Sequence, residues 1–273
     1  MRSVSAVVLI AALAASPAAL AEEEGHENWL AGDELDLGDA VVELKSAIAQ
    51  DDKINLKADV KNAGTDWIFL KKHELVFKAG DQTLKPWDGN EKPPLVIPPE
   101  KSKGLSVAVK GAGLHVEELT VDFQGMYKAS STGEPVEAAD FQLPPTSNNV
   151  TYGNFDCTVT YHDQATKVTK TKWECIYTGD GIGYIDPAKL GVKIQTGQEF
   201  ASTWRKNKTA MLEHNEKATF VTTFEVEKRI VDMQFATMQI QWRDTFTEAK
   251  LQPIDSMEWD LEIDEALTAE KND

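Results

Sequence analysis

The sequence predicts an all-β protein made of two β-sandwich domains in tandem. Three observations predict it. Apolar residues recur at every second position through much of the chain, the spacing of a strand that buries one face. Clusters of Gly, Asn, Asp and Pro punctuate those runs at short intervals. The chain also matches itself when displaced by about 115 residues.

The 273 residues hold 28 Lys+Arg against 45 Asp+Glu, a net charge of −17, with 41% hydrophobic residues. That length suffices for one large or two ordinary domains, each with its own core. The acid excess and the lack of a basic stripe exclude nucleic acid as the main partner.

The first element is an address. Arg2 precedes an apolar stretch from Ala6 to Ala15, then Ser16-Pro17 and the small-residue ending Ala19-Leu20-Ala21. This is the pattern of a secretory signal peptide over residues 1–21. A membrane anchor needs about 20 uninterrupted apolar residues, and Pro17 interrupts this run. No cysteine follows as a lipid acceptor, and no later segment is apolar enough to span a bilayer. The reading is an exported protein, periplasmic or extracellular, with no membrane span or lipid anchor.

An acidic leader follows over residues 22–39, with eight acids and no base; residues 255–273 hold eight more acids and only Lys271. These ends read as solvated faces and tails that favour solubility. Asp33, Glu34, Asp36 and Asp39 offer oxygens to calcium, which takes about six to eight of them. Their spacing is not that of an EF-hand loop, and no metal or cofactor is assigned.

The first domain is placed at 40–145 and the second at 150–265, with an acidic tail at 266–273. Between the domains lies Pro144-Pro145-Thr146-Ser147-Asn148-Asn149, a run of breaker residues. The displacement superimposes Val42 on Cys157, Ala58 on Trp173, Val60 on Cys175, Phe69 on Tyr184, Leu70 on Ile185 and Leu105 on Phe220. After a four-residue shift, Leu119, Val121 and Phe123 meet Met238, Ile240 and Trp242. Roughly seven short strands per copy, separated by turns such as Asn62-Ala63-Gly64 and Gly179-Asp180-Gly181, describe a sandwich.

Met257, Trp259, Leu261 and Ile263 alternate with Glu258, Asp260, Glu262 and Asp264. This is a strand with one apolar and one acidic face, expected to close the second core, in the place that Phe141-Gln142-Leu143 takes in the first copy. Its acids discourage edge-to-edge pairing; the alternative is a strand that leaves its own sheet and augments a partner's.

Cys157 and Cys175 fall opposite each other on a hairpin that turns near Gln164 to Lys167. In an oxidising compartment such a pair is a structural disulfide contributing about 3 kcal/mol by loop-closure entropy. The first copy carries Val42 and Val60 there.

The motifs of common catalytic sites are missing. His26, His73, His115, His162 and His214 are scattered, without the i, i+4 pair that grips zinc, and each reads as a surface residue. There is no nucleophile elbow, phosphate loop or dinucleotide fingerprint. Gly179-Asp180-Gly181-Ile182-Gly183 reads as a turn, because no helix follows to present amides to a phosphate. No catalytic residue is assigned.

Among the seven tryptophans, Trp173 and Trp242 fall on core parity. Trp87 and Trp204 sit at near-equivalent places in polar segments, as the candidate ligand contacts; flat aromatic faces on a sandwich can hold sugars or peptides. Pro93-Pro94-Leu95-Val96-Ile97-Pro98-Pro99 reads as a stiff exposed loop.

The pattern Val60-Lys61-Asn62-Ala63-Gly64, an apolar strand, then Pro98-Pro99-Glu100 leading into an alternating strand resembles the immunoglobulin-like domains of bacterial secreted proteins and lipoproteins. The resemblance covers Val41 to Tyr127 and, more loosely, Cys157 to Trp242, where Tyr177-Thr178-Gly179 and His214-Asn215-Glu216 replace the two turns. It implies two tandem immunoglobulin-like domains and an exported location rather than an activity. The functional expectation is a non-enzymatic binding or structural protein acting through protein contacts. The alternatives are a carbohydrate-binding module using the loop tryptophans, with polysaccharide as partner, and an accessory or inhibitor of an exported enzyme.

Overall fold

The computed structural model describes residues 26–87, 93–204, 206 and 208–273. The signal peptide expected over residues 1–21 and the start of the acidic leader lie outside the described residues.

Strands form where the alternation places them. In chain order the first half carries β1 (Asn28–Ala31), β2 (Leu35–Asp36), β3 (Ala40–Ala49), β4 (Lys53–Asn62), β5 (Trp67–Leu70), β6 (Val76–Ala79) and β7 (Gln82–Leu84). It continues with β8 (Leu95–Ile97), β9 (Ser102–Lys110), β10 (Glu118–Asp122), β11 (Met126–Ala129), β12 (Glu134–Pro135) and β13 (Phe141–Leu143). The second half carries β14 (Asn149–Tyr152), β15 (Phe155–Ala165), β16 (Val168–Tyr177), β17 (Ile182–Ile185), β18 (Gly191–Ile194) and β19 (Glu199–Ala201). Then come β20 (Ala210–Leu212), β21 (Lys217–Glu225), β22 (Met238–Gln241), β23 (Phe246–Ala249), β24 (Gln252–Pro253), β25 (Glu258–Ile263) and the helix α1 (Glu265–Asn272).

The protein is all-β, with its strands in several antiparallel sheets. One nine-stranded sheet runs β7-β6-β10-β25-β1-β3-β4-β9, with β2 on β3. Four-stranded sheets run β24-β11-β5-β8, β12-β23-β17-β20, β13-β22-β18-β19 and β14-β15-β16-β21. Within β4 the apolar Ile54, Leu56, Ala58 and Val60 face inward while Lys57 and Lys61 are exposed, as period-two patterning requires.

Among the described residues, the buried apolar side chains gather in two large clusters and a small third one. The first cluster contains Val42, Ile54, Leu56, Phe77, Val121 and Phe123; the second contains Phe155, Trp173, Phe220, Phe224, Ile240 and Trp242. Trp173 and Trp242 are fully buried, as their parity predicts, and meet edge to face at 5.0 Å. The third cluster takes Phe69 and Ala129 from the first half and Ile182, Tyr184 and Ala249 from the second. It explains the continuous apolar runs of β5 and β17. Ile68 and Leu70 enter the first cluster while Phe69 enters the third; likewise Ile185 enters the second and Tyr184 the third, so both strands are buried on two faces.

Two expectations are corrected here. Trp259 and Leu261 do not close the second core; β25 lies between β10 and β1 in the nine-stranded sheet, and both residues join the first cluster. Trp259 packs 5.9 Å from Phe123, and its indole N–H donates to the Asp33 carbonyl at 2.6 Å. The corresponding edge beside β22 is taken instead by β13, whose Phe141 meets Trp173 edge to face at 4.9 Å. Alternation tells which side chains face a core, not which core. Nor is the leader a solvated segment from Asn28 onward. Leu30, Leu35 and Leu37 are buried, and β1 bridges β25 and β3. The tail is also docked: Asp264 caps α1 by accepting from the Leu267 N–H at 2.9 Å, and Trp29 N–H donates to the Thr268 hydroxyl at 3.0 Å.

Candidate functional site

Cys157 and Cys175 stand directly opposite on the β15–β16 ladder and are joined, with Cα atoms 4.0 Å apart. The hairpin turns at Thr166-Lys167, within the span expected, after a bulge between Val159 and Tyr161. The bridge lies in the second core, away from any cleft described below.

The two halves meet along the third cluster, and at its margin lies a cleft of about 590 Å³. Residues of both halves line it. Asp66 precedes β5, Lys128 and Ala129 come from β11, and Glu134 from β12; Asp180 and Gly181 precede β17, and Glu248 and Ala249 come from β23. The floor is small because neighbouring backbone leaves no room: a Cβ at Gly181 would lie 2.3 Å from the Ala249 carbonyl.

The polar groups of this cleft are held in place. Asn154 donates its backbone N–H and its Nδ2 to the Glu248 carboxylate at 3.2 and 3.0 Å. Lys128 pairs with Asp39 at 2.6 Å. The Tyr184 hydroxyl donates across the halves to the Ser130 carbonyl at 2.8 Å. Burial, then the Asp66 charge, pushes Tyr184 up to about 12; burial, then the Glu248 charge, does the same for Tyr177. Both therefore remain neutral hydrogen-bonding groups at ordinary pH. Glu134 and Glu248 are partners across the β12–β23 ladder, so two carboxylates share one wall. A small apolar floor under fixed charges suits contact with a polar chain or side chain. The lining includes no histidine or cysteine to serve as base or thiol nucleophile.

Trp87 is 63% exposed, and its backbone N–H donates to the Ala108 carbonyl on β9. Lys110 sits over its ring at 4.0 Å. Beside it, Ser46, Asn55, Lys57, Ser106 and Ala108 line a shallow groove of about 300 Å³ on the outward face of the nine-stranded sheet. Trp204 is half-buried, with Lys170 and Lys206 over its ring at 5.3 and 5.9 Å. The structure does not bring the two tryptophans to one place: each lies against its own half.

Other candidates fare differently. Asp36 accepts from the Gly38 N–H, and Asp39 is engaged by Lys128; among the described residues no group of three or more His, Cys, Asp or Glu gathers as for a metal. The segment Pro93 to Pro99 is not an exposed loop, because Leu95–Ile97 pairs with β5 and Ile97 is buried. Of the run Gly179 to Gly183, read as a turn, Gly179 to Gly181 form a bend while Ile182 and Gly183 already lie in β17.

His162 is half-buried on β15 beyond the bulge, with Nδ1 3.1 Å from the Thr171 hydroxyl, and burial lowers its pKa. Thr169, Thr171 and Thr222 are buried there, where the displacement by about 115 residues sets Ile54, Leu56 and Val107 in the first half. The sequence signal of this polar end is the run of threonines in the second copy, with strand parity switching at the bulge between Val159 and Tyr161.

The motif around Asn62 has a structural cause. Asn62 is buried, and its carboxamide donates to the carbonyls of Asp66 and Ile97 at 2.7 and 3.0 Å while accepting from the Gly64 N–H at 2.9 Å. It stitches the turn after β4 to β8. Glu100 and Asn215, in the turns before β9 and β21, both adopt positive φ, 58° and 63°.

Comparison with known proteins adds little to this geometry. No family model matches the chain, and no curated protein matches it. Among solved structures, the secreted serine protease VesC from Vibrio cholerae is matched at 9% identity with a TM-score of 0.19. That match covers 74% of this chain and 47% of the protease chain.

Proposed function

We propose that this chain is an exported, non-enzymatic binding or structural protein acting through protein–protein contacts in the cell envelope or extracellular space. In this reading it is built from two immunoglobulin-like sandwiches related by duplication. Recurring strand neighbours support the duplication: β4 lies between β3 and β9 as β16 lies between β15 and β21, and β5 lies between β8 and β11 as β17 lies between β20 and β23. The disulfide belongs to oxidising compartments. Among the described residues no helix is long and apolar enough to cross a membrane, which is compatible with export.

The observation that carries the contact reading is the cleft between the halves. Asn154 orients Glu248 in the second half and Asp39 orients Lys128 in the first, beside Ala129, Gly181 and Ala249. The test is capture from envelope and culture-fluid extracts with residues 22–273, beside the variant Glu134→Lys/Asp180→Lys. One stoichiometric protein, retained by the first and lost by the second, is the expected result. Equal retention by both, or a hydrolytic activity abolished by changing one carboxylate, would overturn the reading.

Exposed Trp87 beside its groove favours a second reading, polysaccharide binding. Its fluorescence would then respond to a glycan, and Trp87→Ala would abolish the response. Lys110 over the ring weighs against this, because it covers one stacking face.

A further inference from the structure

The strand pairing contains an exchange that neither half needs in order to fold its own hairpins. Beyond Lys250 and Leu251, every ladder among the described residues is with the first half. β24 pairs with β11, β25 pairs with β10 and β1, and α1 is tied to β1 through Thr268. In return, β12 pairs with β23 and β13 with β22. Each half thus receives its last strand pair from the other.

We propose that the segment from Gln252 to Asn272 is a donor arm that completes the first half of a second copy of this chain as well as that of its own. The partner is specified by the seat. Between β10 and β1 the arm inserts Trp259 and Leu261 among the core residues Leu30, Leu119, Val121 and Phe123. When the arm is unseated, this is an open apolar slot with two unpaired strand edges, whose side-chain and backbone complement is the arm of any copy. The inference rests on strand pairing and is independent of the contact reading above.

Two features favour exchange between copies. First, the connection from β23 to β24 is two residues, Lys250 and Leu251, and short connections between an element and its seat promote swapping. Two chains that trade arms restore every ladder in both, and the product closes as a two-fold dimer rather than a filament. Second, the outward face of the seat is crowded with like charge. Glu118 opposes Glu262 and Asp122 opposes Glu258, with Lys78 on neighbouring β6 paired to Glu258. Such pairs lower the cost of unseating the arm, whichever copy's seat it then takes.

The test uses the opposed pair Thr120 and Asp260, whose side chains are hydrogen-bonded at 2.7 Å across the β10–β25 ladder. Chains carrying Thr120→Cys and chains carrying Asp260→Cys are mixed, unfolded together, refolded over a range of protein concentrations and mildly oxidised. We expect a covalent dimer holding one of each chain, with a yield that rises with refolding concentration and stands several-fold above a control mixture of Thr196→Cys with Asp260→Cys. The double variant Thr120→Cys/Asp260→Cys is expected to cross-link within a single chain. If it does so while the mixture yields no more than the control, the arm serves its own chain alone and the proposal is overturned. Failure of the double variant to cross-link would overturn the register and the proposal with it.

Discussion

Replacing Trp259 by alanine tests which core the last strand fills. The indole is buried in the first cluster against Phe123, so its removal deletes the largest side chain on β25 and leaves a cavity. Large-to-small changes at buried aromatics cost about 3–5 kcal/mol. The lost hydrogen bond to the Asp33 carbonyl adds about 1 kcal/mol. A total of about 5 kcal/mol is a large share of the about 5–15 kcal/mol by which such proteins are stable. With a urea slope of about 3 kcal/mol per molar, the midpoint falls by about 1.7 M. Hydrogen exchange locates the damage. In Trp259→Ala, amides of β1, β6 and β10 lose protection while those of β18 and β22 keep it. Phe141→Ala, in the other exchanged strand, does the reverse. Loss of protection in β18 and β22 on changing Trp259 would refute the assignment.

Three further outcomes follow. Cys157→Ser/Cys175→Ser loses about 3 kcal/mol in thermal or urea melts, the loop-closure value, while retaining the native circular dichroism, because the hairpin ladder around the bridge persists. Asn62→Ala loses about 3 kcal/mol, because it strands the buried carbonyl of Ile97 and the turn it closes; Asn62→Asp is no rescue, since a carboxylate cannot donate. Stability falls at both ends of the pH range. Tyr177 and Tyr184 rise from 10.0 to about 12 on folding, so their contribution is full below pH 10 and is lost as pH climbs toward 12; tyrosinate absorbance is expected to appear late and together with unfolding. His162 is depressed below 6.5, so its contribution is present above that pH and lost as pH falls, and His162→Gln flattens the acid slope measured by urea titration.

The local order of this chain was written plainly in its sequence, because strand faces and hairpin registers depend on neighbours a few residues away. The alternation in Ile54 to Val60, the turn at Thr166-Lys167, the opposition of Cys157 to Cys175 and the burial of Trp173 and Trp242 all follow from period and parity. What was not legible depends on distant partners. Trp259 and Leu261 satisfy either core equally well by pattern, and only the placement of β13 beside β22 leaves the first sheet as their seat. Pro93 to Pro99 looked like a loop because proline is unusual in strands, yet the three residues between the prolines suffice to pair with β5. The cleft was invisible for the same reason. Asp66, Lys128, Asp180 and Glu248 carry no shared motif, and they converge because β5, β11, β17 and β23 each turn one face toward the other half.

The crossing of the last strands also sets a clock. A chain made from its amino end presents β3 to β11 while the strand that completes their core has not yet been synthesised. The first half therefore waits, with the slot beside β10 open, until the second half has been made and β25 has emerged. The second half faces no such delay, since β12 and β13 precede it. The order of completion is thus the reverse of the order of synthesis, and the contacts formed last are among the longest in the sequence, which makes the final step slow. A chain stopped short of Glu258 would keep its second core and leave the first without its closing strand.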